Sequence, residues 1–158
     1  MRLWLGLAAL SWSFVAIPVT DAQIPVITNP ADLRFLNLNE AFDPLDPIAT
    51  WTAKAPMPTA RAGFAISAAS DATSEKIYVI GGEVVGSHDC TTVQTVEAYD
   101  PATDNWTTNL AEPPAKRWRA AAGTLRGIIY LVGGVSSAGG VCGEVVGTVE
   151  AYDPVANS

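Results

Sequence analysis

The chain of 158 residues carries 9 Lys and Arg against 16 Asp and Glu, a formal net charge of −7, which argues against a nucleic-acid binder or a polybasic membrane-surface protein, since both need cationic surface. Hydrophobic residues at 49 % against charged residues at 16 % also exclude a self-repelling disordered chain. The 13 Gly and 11 Pro fall between short apolar runs, which points to many short segments rather than a few long helices.

The chain opens like an address. Met1-Arg2 supplies one positive charge, residues 3–19 supply none, and Thr20-Asp21-Ala22-Gln23 begins a polar stretch. This is the pattern of a signal peptide over residues 1–22, with Thr20 and Ala22 at the −3 and −1 positions of a cleavage after Ala22. An uncleaved membrane anchor is the competing reading; Pro18, Ser11 and Ser13 count against it. Export to a secreted or extracytoplasmic location is the expectation (periplasm or cell surface in a bacterium). Residues 23–38 read as a linker or an outer strand: Asn29-Pro30 has the form of a helix start, yet Leu33, Phe35, Leu36 and Leu38 fit no single period.

From residue 39 the chain repeats itself. Glu40-Ala41-Phe42-Asp43-Pro44 returns as Glu97-Ala98-Tyr99-Asp100-Pro101 and as Glu150-Ala151-Tyr152-Asp153-Pro154, at spacings of 57 and 53 residues. Ile77-Tyr78-Val79-Ile80-Gly81-Gly82 returns 52 residues later as Ile129-Tyr130-Leu131-Val132-Gly133-Gly134, and Trp51 returns 55 residues later as Trp106. Self-similarity near 50 residues indicates a propeller or a solenoid. Each unit predicts four strands. A small-residue strand (63–69, 120–125) comes first, then a β-branched and aromatic strand stopped by Gly-Gly, where positive φ or close backbone approach is needed. After a loop comes a third strand (92–99, 145–152) ended by Asp-Pro; in the first copy Val93, Thr95, Glu97 and Tyr99 alternate with Thr92, Gln94, Val96 and Ala98, the period of a strand exposed on one face. A short outer strand carries the Trp.

Strand order, Gly81-Gly82 and Gly133-Gly134 after the second strand, Tyr99 and Tyr152 before Asp-Pro, and Trp106 in the fourth strand together resemble the kelch repeat. The resemblance covers about residues 39–158 and implies an all-β partial β-propeller of four-stranded antiparallel blades. It divides into a half-unit (39–54), a full blade (55–110) and an incomplete blade (111–158), about two and a half repeats by count. Residues 152–158 match 99–105, so the chain stops where the next Trp is expected, and a fragment of a longer propeller is anticipated. Trp-Asp repeats are the runner-up, but no Trp-Asp pair occurs.

Cys90 and Cys142 occupy equivalent places in the loop before the third strand, and export favours a disulfide between them. His88-Asp89-Cys90 offers metal-ligand chemistry, but one histidine with two chain neighbours does not converge four ligands, so neither metal nor cofactor is expected. A single histidine also assembles no serine-type catalytic set. Asn105-Trp106-Thr107 is a glycosylation sequon, meaningful only in a eukaryotic secretory pathway. In the kelch architecture, Arg61, Arg117 and Arg119 resemble arginines pointed into the bowl above the channel, with Trp118 as a stacking surface; bracing of the loops by the same arginines is the alternative. The favoured function is an exported binding module for a protein or carbohydrate ligand at blade loops or central bowl. The alternative is the N-terminal part of a secreted kelch enzyme acting on carbohydrates, similar to galactose oxidase or a sialic-acid mutarotase, with its active residues elsewhere.

Overall fold

The computed structural model describes residues 37–48, 50–84, 91–136 and 143–158; the signal peptide expected over 1–22, most of the linker or outer strand expected over 23–38, His88-Asp89-Cys90 and Cys142 lie outside these. The described residues form strands and turns and no helix. Strands β1 (Glu40–Phe42) and β2 (Trp51–Ala53) pair antiparallel, with Phe42 opposite Trp51. Strands β3 (Ala65–Ser70), β4 (Glu75–Ile80), β5 (Val96–Asp100) and β6 (Asn105–Thr107) form one antiparallel meander in chain order. Strands β7 (Ala121–Leu125), β8 (Ile128–Val132) and β11 (Val149–Tyr152) form a three-stranded sheet with β8 in the centre. Between its second and third strands, β9 (Val135–Ser136) and β10 (Glu144–Val145) make a small ribbon of their own.

Local chemistry explains the turns. Asp71 Oδ1 accepts the backbone N–H of Thr73 at 2.7 Å and of Ser74 at 3.0 Å, closing the β3–β4 corner as an Asx turn. Arg126 and Gly127 both have positive φ, at 53° and 82°, and so form the tight β7–β8 hairpin. After β4, Gly81 and Gly82 take φ of 65° and 106°; a Cβ on Gly81 would lie 2.4 Å from the Arg117 carbonyl oxygen. No other residue fits there. Gly133 and Gly134 repeat the conformation at 63° and 100°.

The two larger sheets pack face to face as successive blades. Register places Ala65, Ile80 and Val96 in one row and Tyr78 with Ala98 in the next. That face meets Ile129 and Leu131 of the second blade in one apolar cluster, with Ala122 and Tyr152 at its margin. Small side chains let the inner strands approach: Ser67 Oγ lies 2.8 Å from Thr124 Oγ1, which also donates to the Ala68 carbonyl at 2.6 Å.

Two expectations change. In the first blade the third strand is not open on one face, because Val96, Glu97, Ala98 and Tyr99 of β5 are all buried, whereas β11 in the second blade alternates exposed and half-buried residues. Blades cover each other, so the middle strands of a stack lose their solvent face. The regular strand is also shorter, beginning at Val96; residues 92–95 are tied by single contacts, an isolated bridge from Thr92 to Glu83, the Val93 N–H to the Gly82 carbonyl at 2.9 Å and the Gly81 N–H to the Thr95 carbonyl at 3.0 Å. The segments beyond Gly-Gly are not plain loop either, for Glu83 bridges Ala62 as well as Thr92, and Val135 bridges Trp118.

Candidate ligand site

The repeat positions build a second set of contacts, polar ones. Arg61, just ahead of the innermost strand, turns inward. Its Nη2 donates to Glu97 Oε2 at 2.8 Å and its Nη1 to the Thr95 carbonyl at 3.0 Å; both side chains are at most 1 % exposed. Thr59 Oγ1 donates to the other Glu97 oxygen at 2.6 Å. Burial pushes the Arg61 guanidinium below its ordinary value, and the Glu97 charge opposes the shift. The second blade copies the arrangement: Arg117 pairs with Glu150 and donates to the Gly133 carbonyl and to Thr148 Oγ1, each at 3.3 Å.

This corrects the expectation for two of the arginines. Arg61 and Arg117 are 2 % and 1 % exposed, and their forks are spent on a carboxylate and on backbone carbonyls. A guanidinium paired this way is a brace, because a ligand carboxylate would first have to displace the internal one. The partners Glu97 and Glu150 were not singled out in the sequence. The signal was present: the first residue of the repeated pentapeptide is always Glu, and it shares a strand face with the packed aromatic.

Arg119 and Trp118 behave differently. Arg119 is exposed and Trp118 half-buried. The Arg119 guanidinium carbon stands 4.1 Å from the Trp118 ring centroid, a cation–π contact. Arg119 has φ of 54°, and Gly63, at the same place in the preceding unit, has φ of 62°. The two units meet here: Arg119 N–H donates to the Gly63 carbonyl at 2.6 Å, and a Cβ on Gly63 would touch Trp118 at 3.4 Å. A non-glycine residue in the left-handed region costs roughly 1–2 kcal/mol, and such strain concentrates at functional positions.

Asn105 begins β6 exposed and donates to the Thr103 carbonyl at 2.7 Å. Trp106 behind it is half-buried and donates its indole N–H to the Ala55 carbonyl at 2.8 Å. Among the described residues no three His, Cys, Asp or Glu side chains converge as a metal site.

A family model described as "Kelch motif" matches residues 67–108 and 117–158. Beta-scruin of Limulus polyphemus is similar at 33 % identity over 87 residues, 55 % of this chain and 9 % of that protein. The solved structure of YjhT is similar with a TM-score of 0.53 and 20 % identity, covering 66 % of this chain and 36 % of that one. The chain thus spans a minor part of each relative, and the likeness to the solved structure is one of fold.

Proposed function

Since the chain belongs to the kelch-repeat family, a partial all-β propeller, we propose that it serves as an exported interaction module that holds an acidic protein segment or a carboxylate-bearing glycan at Trp118 and Arg119. The observation that carries this is the exposed Arg119 guanidinium, held over an indole by a backbone conformation that the preceding unit gives to glycine. An arginine fork reads a carboxylate in two hydrogen bonds, and the indole face accepts a sugar ring or a planar group. On a chain of net charge −7, a cation at one mouth also focuses an anionic partner there. Arg61 and Arg117 support the reading indirectly, by fixing the two units between which Arg119 sits.

Export rests on the composition of residues 1–22 and entails a mature N-terminus at Gln23, which mass analysis of the exported protein reads directly. In that compartment we place a Cys90–Cys142 disulfide; alkylation of either thiol without reductant would refute it. For the binding function, the purified protein is screened against an array of acidic glycans and acidic peptides beside Arg119→Ala. The wild type should retain carboxylate-bearing spots that the variant loses. An identical pattern for both proteins would refute the site.

A further inference from the structure

The outermost strand of the first blade carries a motif that neither the fold nor the proposed ligand site uses. Among the described residues β6 pairs with β5 alone, so it forms the outer edge of the sheet. Asp104, with φ of 54°, ends the turn after β5 in the left-handed region, and Asn105 starts the strand. Successive side chains of a strand point to opposite faces. Trp106 accordingly packs inward, its ring 5.2 Å from that of Tyr99, while Asn105 and Thr107 stand together on the other face, both exposed. The open surface extends to either side, since residues 101–105 and 107–109 are all exposed.

The repeat does not ask for asparagine at this place. Register sets Phe42 opposite Trp51 as it sets Tyr99 opposite Trp106, so Thr50 stands in the half-unit where Asn105 stands in the first blade. In the second blade the place falls to Ser158, the residue after Asn157. Asp104 and Asn157 tie their turns to distant backbone, through the N–H groups of Ala55 and Ala111. The Asn105 carboxamide instead makes an exposed local bond, from Nδ2 to the Thr103 carbonyl two residues back.

Asparagine followed two residues later by threonine, with a residue other than proline between, is the acceptor pattern for N-linked glycosylation. Resting on the reading of the chain as exported, we propose that Asn105 carries an N-linked oligosaccharide, transferred from a lipid-diphosphate donor in a eukaryotic secretory pathway. The bond from Asn105 Nδ2 to the sugar C1 forms as the bond from C1 to the diphosphate oxygen breaks. The lipid diphosphate leaves with that electron pair, and Nδ2 gives up one proton to solvent. Nδ2 keeps its second hydrogen, which suffices for the bond to the Thr103 carbonyl. A glycan is bulky and solvated and needs a surface position. On the face of β6 opposite Trp106 it displaces neither the indole contact with Tyr99 nor the indole bond to Ala55.

The test translates the full chain in the presence of secretory microsomes and treats the protease-protected product with peptide N-glycosidase. The expected result is a slower-migrating band that the glycosidase converts back, leaving aspartate at position 105. Asn105→Gln and Thr107→Ala should lose the shifted band, and Thr107→Ser should keep it. A protected wild-type chain without the shift, or a shift that survives Asn105→Gln, overturns the proposal. A second version, with residues 1–22 replaced by an established cleavable leader, separates this proposal from the export reading. If the natural chain stays outside the vesicles, export fails, and the leader-bearing chain alone decides whether Asn105 is an acceptor.

Discussion

Tyr99 donates its hydroxyl to Asp104 at 2.7 Å, and the same carboxylate oxygen accepts the backbone N–H of Ala55, 49 residues away. The end of β5, the turn before β6 and the segment entering the blade are thus tied at one atom. These bonds, the Ala55 N–H first and the Tyr99 hydroxyl second, hold the Asp104 carboxyl below the usual carboxylate range. Burial, with Asp104 beside it, pushes the Tyr99 hydroxyl up to about 12. Asn157 occupies the equivalent place with the same two bonds and the same φ of 54°.

A pH dependence follows. A carboxyl whose folded pKa lies below its unfolded value near 3.9 stabilises the fold above that value, and the contribution is lost as pH falls through the folded pKa. Asp71 acts in the same direction, held down first by Lys76. The thermal midpoint should stay level from pH 7 to 5 and fall below about pH 4. Asp104→Asn keeps both bonds in the manner of Asn157, so at pH 7 its midpoint should match wild type and its decline in acid should be shallower. Thermal unfolding followed by circular dichroism across pH reads both.

The Arg–Glu braces set a second contrast. Glu97 is buried against Arg61, whereas Glu40, first residue of the same pentapeptide, is exposed on β1. Glu97→Ala leaves a buried guanidinium without its counter-charge and should cost about 3–5 kcal/mol. Glu40→Ala should stay within about 0.5 kcal/mol of wild type. Urea unfolding of the two variants side by side decides, and equal losses would contradict the account.

The second brace is less complete than the first. Thr59 donates to Glu97, but the matching residue in the second unit is Ala115, and Glu150 Oε2 is buried with no hydrogen-bond partner among the described residues. Ala115→Thr should therefore stabilise the chain by about 1 kcal/mol, and Thr59→Ala should destabilise it by about 1–3 kcal/mol. Opposite shifts of the urea midpoint are the expected outcome.

The blade architecture was legible because each strand and stop reuses the same residue types: Ile77-Tyr78-Val79-Ile80 and its copy can only be buried strands, and Gly81-Gly82 can only be a close approach. The direction of an arginine side chain was not legible. Arg61 and Arg119 both stand just ahead of an inner strand, yet one turns under the blade and the other out of it. What separates them is position relative to the third-strand Glu, a contact across 36 residues for Arg61 and Glu97. The left-handed backbone of Arg119 was equally hidden in its residue type, although its alignment with Gly63 carried the clue. The β9–β10 ribbon went unseen because two-residue strands leave no period to read.

The central claim, that Arg119 over Trp118 recognises a carboxylate, meets its most direct test in an equilibrium titration. Wild type and Arg119→Ala are titrated with the strongest acidic ligand from the array and with its methyl ester. Wild type should bind the acid at least about tenfold more tightly than the ester, a difference worth about 1.4 kcal/mol. The variant should bind both equally and weakly, with an unchanged thermal midpoint. Equal binding of acid and ester by wild type, or undiminished binding of the acid by Arg119→Ala, would contradict the account.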